Sequence, residues 1–294
     1  MDKVLYQLQG KSFHLTDDMF NFLSSKYEEL IDLPIPGIEN AGFHSDFIKE
    51  IITRHRNQFL SDEYLDSRIA NPTTGTIDHI HAEITAATTV QIGQQKGYSG
   101  YPVELLRCAG HLHDSDRSYP KTMIRGEQEV RHNPEGYRRY KEKHAENSAL
   151  MVRQLTEATG DAGYSYLPGF ISDIQYLIRH HEKGGAASHD SSIINTSLID
   201  TSIDLDRLTD ILTDSDSLSY FDANILTNWE ESNRSETALK NKVHFMYDRM
   251  SHGAQIILKE TVLNSETHIL GITPSGNQDV ISIRSILLDV CQSV

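Results

Sequence analysis

Apolar residues recur every three or four positions along nearly the whole chain, and a sequence with that period cannot sit stably as alternating strands. The stretches "LTDDMFNFLSSKYEELIDL" and "HSDFIKEIITRHRNQFL" show it first, with Thr16 placed as an N-cap of the former and Phe47, Ile51 and Ile52 at helical spacing in the latter. Loops follow at "PIPGIENAG" and "ANPTTGT", where Pro and Gly break the pattern. The spacing then predicts a helix over about 77–95, a turn at "KGYSGYP", and a helix opened by Pro102 and running to about His113. Further helices are expected over about 136–159, in "FISDIQYLIRHHEK", in "SIDLDRLTDILTDSDSLSYFDANIL" and in "ETALKNKVHFMYDRMSHGAQIILKE", with a last short helix or strand after "LGITPSGNQDV". No repeat and no strand pairing stands out. The expectation is an all-α bundle: a core at 77–225, an N-terminal helical extension at 1–76, and a C-terminal helical extension at 226–294 packing on the core.

Within that bundle the histidines are unevenly placed. Eight of the 15 fall between His79 and His181. A titratable residue on the apolar stripe of a helix points into the interior, where it needs a partner. His113 follows Leu106 and Ala109 by seven and four residues, so it points inward at its helix end, with Asp114 beside it. His144 shares a face with Ser148, Met151, Val152 and Leu155. Asp216 lies four residues after Leu212, near the stripe of Leu205 and Leu208, whereas Asp214 is turned about 200° from it. His81 flanks Ile80 and Ile84 and is preferred over His79, which shares its side with Glu83. The stripe Ile171, Ile174, Ile178 continues to His181, although His180 is only about 100° round the helix. Five helices thus deliver imidazole or carboxylate inward, a familiar design for metal sites in bundles. Without thiolate, such a set suits Fe, Mn, Co or Zn better than Mg or Ca. Six ligands exceed the needs of one ion with an open position, so two divalent ions bridged by Asp114 are expected. Such a pair provides a nucleophile at neutral pH and clamps the oxygens of a displacement at phosphorus.

The order H…HD…H…H…D, carried by His81, His113-Asp114, His144, His180 and Asp216, resembles the HD-domain superfamily of metal-dependent phosphohydrolases. "AGHLHDSDR" looks like the family's helix ending in His-Asp with a basic residue three positions on, here Arg117. "HAENSALMV", "IRHHEKGG" and "DSDSLSYFD" are similar to the segments that supply the remaining ligands. The resemblance covers about 77–222. It makes the first histidine of the pair, His180, the ligand, with His181 kept as an alternative near the site. It implies hydrolysis of a phosphoester or phosphoanhydride in a nucleotide or small phosphorylated metabolite. Asp114 and Arg117 would act in catalysis, and Arg117, Lys183 and Arg125 would neutralise phosphate through charge-assisted hydrogen bonds. Three departures narrow it. Asp116 stands where a small residue is usual, "AAS" replaces the Gly-Tyr-Pro of cyclic di-GMP phosphodiesterases, and the Glu-Asp of guanosine tetraphosphate hydrolases is missing. A di-iron oxygenase resembling inositol oxygenase shares the same ligand order, and a non-catalytic regulatory protein on this fold is the third reading.

Charge and cysteine usage bound the setting. With 42 acidic against 27 basic residues the formal net charge is −15, which disfavours long nucleic acids and anionic membranes as partners. Two distant cysteines make no disulfide framework, and "MDKVLYQLQG" lacks the apolar run of a signal peptide. A soluble cytoplasmic protein acting on a small phosphorylated substrate is expected, and a homo-oligomer is compatible with it. The long connection 118–135, with Lys121, Arg125 and Arg131, is expected to wall or cover the pocket.

Overall fold

A computed structural model of the 294-residue chain describes residues 53, 72–118, 143–153, 168–183, 195–225, 228–229, 232–264 and 278–292. At 72–80, 117–118, 183, 222–223, 261–264 and 278–280 the description is of backbone alone. The described residues form eight helices and no strand, apart from one isolated bridge between Thr196 and Asp204. The molecule is all-α. No described helix is long and apolar enough to cross a membrane. The N-terminal helices expected before residue 72 and the loop 118–135 lie outside the described residues, save Thr53 and Ser118.

Helix α1 (Pro72–Gln95) and helix α2 (Tyr101–Leu112) form an antiparallel pair. The chain reverses between them at Gly97 and Gly100, whose φ values of 87° and 64° lie where only glycine sits without strain. Their contact is unusually close. A Cβ on Gly110 would stand 2.7 Å from the Ala86 Cα, so the small pair Ala109-Gly110 lets the two backbones approach. Thr89 fastens the crossing, donating its hydroxyl to Ala86 O at 2.8 Å and Leu106 O at 3.2 Å. This approach is what brings residue 81 beside residue 113.

Helix α3 is residues 143–153, α4 is Pro168–His180, extended by a 3₁₀ turn at His181–Lys183, and α5 is Leu205–Ser219. Asp204 caps α5, its carboxylate accepting from the backbone N–H of Asp206 at 3.0 Å and Arg207 at 3.3 Å. α5 packs on α1, α2 and α4 and so runs through the middle of the bundle. One apolar cluster fills this half, built from residues such as Leu105, Leu106, Val152, Phe170, Ile174, Leu177, Leu208 and Leu212.

A second cluster begins at Tyr220, after α5 passes into a π turn at Tyr220–Asn224. It joins Trp229 to helices α6 (Glu236–Asp248), α7 (His252–Asn264) and α8 (Gln278–Gln292). Leu218 packs against both clusters. Sequence periodicity predicts one helix through 236–260. The structure breaks it at 249–251, where the Ser251 hydroxyl and backbone N–H turn toward Asp214 at 2.6 and 2.7 Å. The closing segment, left open between helix and strand by its sequence, is the helix α8.

Candidate metal centre

Seven titratable side chains meet between the apolar cluster and the C-terminal helices: His81, His113, Asp114, Asp116, His144, His181 and Asp216, every one buried. α1 brings His81, the end of α2 brings His113 to Asp116, α3 brings His144, the 3₁₀ turn after α4 brings His181, and α5 brings Asp216. Three sets of donor atoms, each within 4.8 Å of one another, could hold a cation: His81, His113 and Asp114; His113, His181 and Asp216; and Asp114, His144 and His181.

The imidazole protons follow from what each ring touches on its far side. His113 Nδ1 lies 2.8 Å from Gly110 O and His181 Nδ1 lies 2.6 Å from Ile178 O. A carbonyl accepts only, so both Nδ1 atoms carry the proton and both Nε2 atoms present a lone pair. The Ser219 hydroxyl lies 2.9 Å from Asp216 O, 2.7 Å from Thr85 Oγ1 and 3.0 Å from His81 Nδ1. It can donate to His81 Nδ1, which leaves the His81 proton on Nε2 toward the Asp216 carboxylate. The Nε2 atoms converge. His81 Nε2 is 3.2 Å from His113 Nε2 and 2.9 Å from Asp216 Oδ1, and His113 Nε2 is 3.4 Å from the same oxygen. A proton on His81 Nε2 bridges these acceptors in the absence of metal, and a cation replacing that proton would be ligated by all three atoms.

His144 is arranged differently. Its Nε2 lies 2.5 Å from Asp114 Oδ1 and its Nδ1 lies 2.8 Å from Asp116 Oδ1. Burial alone would lower its pKa, but the Asp116 and Asp114 charges outweigh it and push the value up to about 10. His181 goes the other way. Burial, with the neighbouring His144 charge adding to it, holds its pKa well below the usual range, so it stands neutral and ready to ligate.

His81, His113, Asp114, His144 and Asp216 are thus brought together. His180 is not among the clustered donors. It is half-buried and lies against the Tyr176 ring at 4.4 Å between centroids, while His181 faces His113 at 5.3 Å. The choice of His180 is corrected to His181: the second imidazole continues the inward helical stripe of Ile174 and Ile178 and is buried among the clustered donors. Asp214 faces away and serves Ser251. His79 lies on α1, Arg117 in a 3₁₀ turn at Ser115–Ser118 after α2, and Lys183 in the 3₁₀ turn after α4, with their side chains outside the described residues, as is all of Arg125. His111 stands apart from the cluster, 3.7 Å from Glu83.

Two site residues escaped the sequence reading. Arg249, just after α6, places its guanidinium on Asp216 Oδ2 and donates from Nε to Ser217 Oγ at 2.6 Å. No local pattern connects position 249 to position 216. Asp116 was visible only as a departure from the expected small residue. Comparison of the chain with family models, curated proteins and solved structures found no match.

Proposed function

We propose that the chain is a metal-dependent phosphohydrolase with a dinuclear centre, acting on a phosphoester or phosphoanhydride of a nucleotide or small metabolite. The observation that carries this reading is the meeting of His81, His113, Asp114, His144, His181 and Asp216 in three overlapping donor sets, each able to hold a cation. The His81, His113 and Asp216 donor atoms lie within 3.4 Å of one another, and the Asp114, His144 and His181 set shares no residue with them, which supports two ions. Asp114 Oδ2, 3.9 Å from His81 Nε2, reaches toward the first group. Imidazole and carboxylate without thiolate favour Fe, Mn, Co or Zn. Bound ions would activate water and offset charge at the phosphoryl group.

The chain's own residues prepare for this. The carbonyls of Gly110 and Ile178 fix the tautomers of His113 and His181. Ser219 holds the His81 ring through Nδ1. Arg249 holds one oxygen of Asp216 and leaves Oδ1 for the centre. Burial of the whole set strengthens each electrostatic contact by lowering the local dielectric. The sequence order of the ligands is similar to that of HD-type hydrolases, and a di-iron oxygenase shares it, so the assay must separate the two.

The test is a panel of phosphate esters and nucleotides assayed with Mn²⁺, Fe²⁺, Co²⁺ and Mg²⁺, with elemental analysis of the purified protein. Phosphate release that disappears together with bound metal in Asp114→Ala is expected. Turnover that survives Asp114→Ala rules the centre out, and O₂ consumption in place of phosphate release moves the chemistry to an oxygenase.

A further inference from the structure

The four clustered imidazoles are not held alike. His113 and His181 lean on backbone carbonyls and His81 on a serine hydroxyl. Of the four, His144 is the one whose Nδ1 faces a carboxylate, Asp116 Oδ1 at 2.8 Å, an ion-pair contact that lies off the axis of a straight hydrogen bond. Asp116 is wholly buried, and its other oxygen, Oδ2, has no hydrogen-bond partner. A carboxylate in that position is costly unless a positive charge faces it.

Its position is also firmly set. Ser148, one turn after His144 on α3, donates its hydroxyl to Asp116 Oδ1 at 3.1 Å and accepts from the Asp116 backbone N–H at 3.3 Å. The neighbouring Ser115 hydroxyl bridges Leu112 O at 2.7 Å and Ser148 O at 3.1 Å. The segment that carries Asp114 is thereby stapled to the helix that carries His144.

We propose that Asp116 is a positioning residue that fixes the ring and tautomer of His144, so that Nε2 offers its lone pair to an ion shared with Asp114. This inference rests on the functional reading above and goes beyond it. The resemblance supplies no carboxylate at position 116. A carboxylate accepts the Nδ1 proton more strongly than a carbonyl does, and so makes Nε2 the more basic donor. The ion at His144 is then held by a different electronic environment from the ion between His81 and His113.

The test uses the full chain stripped of metal by chelation. Wild type, Asp116→Ala, Asp116→Asn and Ser148→Ala are titrated with Mn²⁺ by calorimetry and with Co²⁺ by visible absorption. Asp116→Ala should weaken one metal equivalent about 10- to 100-fold, leave the other near wild type, and alter the Co²⁺ bands. Asp116→Asn should weaken it less, because Ser148 keeps the carboxamide oxygen toward Nδ1 while the charge is gone. Ser148→Ala should fall between wild type and Asp116→Ala. Wild-type affinity and spectrum in Asp116→Ala overturn the proposal, as does a loss that merely tracks lost helix content. If Asp116→Ala does not fold, Asp116→Asn decides, and wild-type behaviour there overturns it. A wild-type protein that takes up neither Mn²⁺ nor Co²⁺ sinks the functional reading itself, a result distinct from any failure at Asp116.

Discussion

At the scale of single residues, the adjacent histidines give the sharpest contrast. His181→Ala should remove or weaken a metal equivalent, because its Nε2 is aimed into the cluster. His180→Ala should leave metal content unchanged and remove its contact with Tyr176. Elemental analysis of the two variants decides, and equal losses would undo the geometric assignment. His144 yields a pH dependence. In chelator-treated protein its pKa rises from 6.5 to about 10, the carboxylates of Asp116 and Asp114 overcoming the opposing effect of burial. The folded state then holds this proton more tightly than the unfolded chain does. The resulting stability is fully present below pH 6.5 and is lost as pH climbs through 10. Melting temperature of the metal-free protein should therefore decline across that window, and a bound ion, taking the proton's place on Nε2, should remove much of the decline. A flat profile without metal would contradict the Asp114–His144–Asp116 arrangement. These residues also show what the sequence could reveal. His81, His113, His144 and Asp216 were legible because each lies on an apolar stripe, where a polar side chain has nowhere to go but inward. The choice between His180 and His181 was not, since the resemblance named one and the stripe the other. The structure sides with the stripe, placing His181 among the clustered donors.

Among the elements, the α1–α2 crossing governs how closely His81 and His113 can meet. Gly110 sits at the closest point, and a methyl group there would press on Ala86 backbone atoms at 2.7 and 3.0 Å. Neither helix can yield by rotating a side chain, so the backbones must part. Gly110→Ala should cost about 1–3 kcal/mol through overpacking, outweighing the gain of up to about 1 kcal/mol from replacing a helical glycine. It should also weaken metal uptake, because parting the helices separates the two Nε2 atoms. Chemical denaturation and Mn²⁺ titration of the same variant measure both effects, and a stabilised variant with unchanged uptake would show that the crossing relaxes freely. Helix existence was readable from periodicity for α2, α4 and α5, since each buries an apolar face; α1 is buried all round over 81–86 and begins at Pro72, inside the stretch read as a loop. The break between α6 and α7 was not readable. Apolar spacing continues straight through it, and the interruption is imposed from outside by Asp214, a residue 37 positions earlier that binds Ser251.

For the molecule as a whole, two apolar clusters are joined by the end of α5, and the turn between α6 and α7 clasps that end at two points: Ser251 on Asp214 and Arg249 on Asp216. The metal centre and the C-terminal helices thus share one carboxylate. Sequence proximity gives no hint of this, because the shared residues are separated by a helix and a connection, and a lone arginine near a helix end reads as surface. The sharing has a consequence that depends on metal. Both Arg249 and Asp216 are largely buried, and removing one member of a buried pair usually costs about 3–5 kcal/mol because the other charge is left unpaired. Arg249→Met should carry a penalty of that order in chelator-treated protein. An ion bound at Asp216 Oδ1 supplies the missing positive charge, and an ion that binds only the folded state adds its own stabilisation. Mn²⁺ should accordingly shrink the stability gap between Arg249→Met and wild type. Loss of the guanidinium also removes a positive charge that opposes cation binding, so the variant's Mn²⁺ affinity should not collapse as it does in Asp114→Ala. Urea denaturation of both proteins, with and without Mn²⁺, measures the gap directly. If the gap is the same in both conditions, Arg249 and the metal do not act on a common carboxylate, and the C-terminal helices are then a separate stabilising unit without a part in the centre.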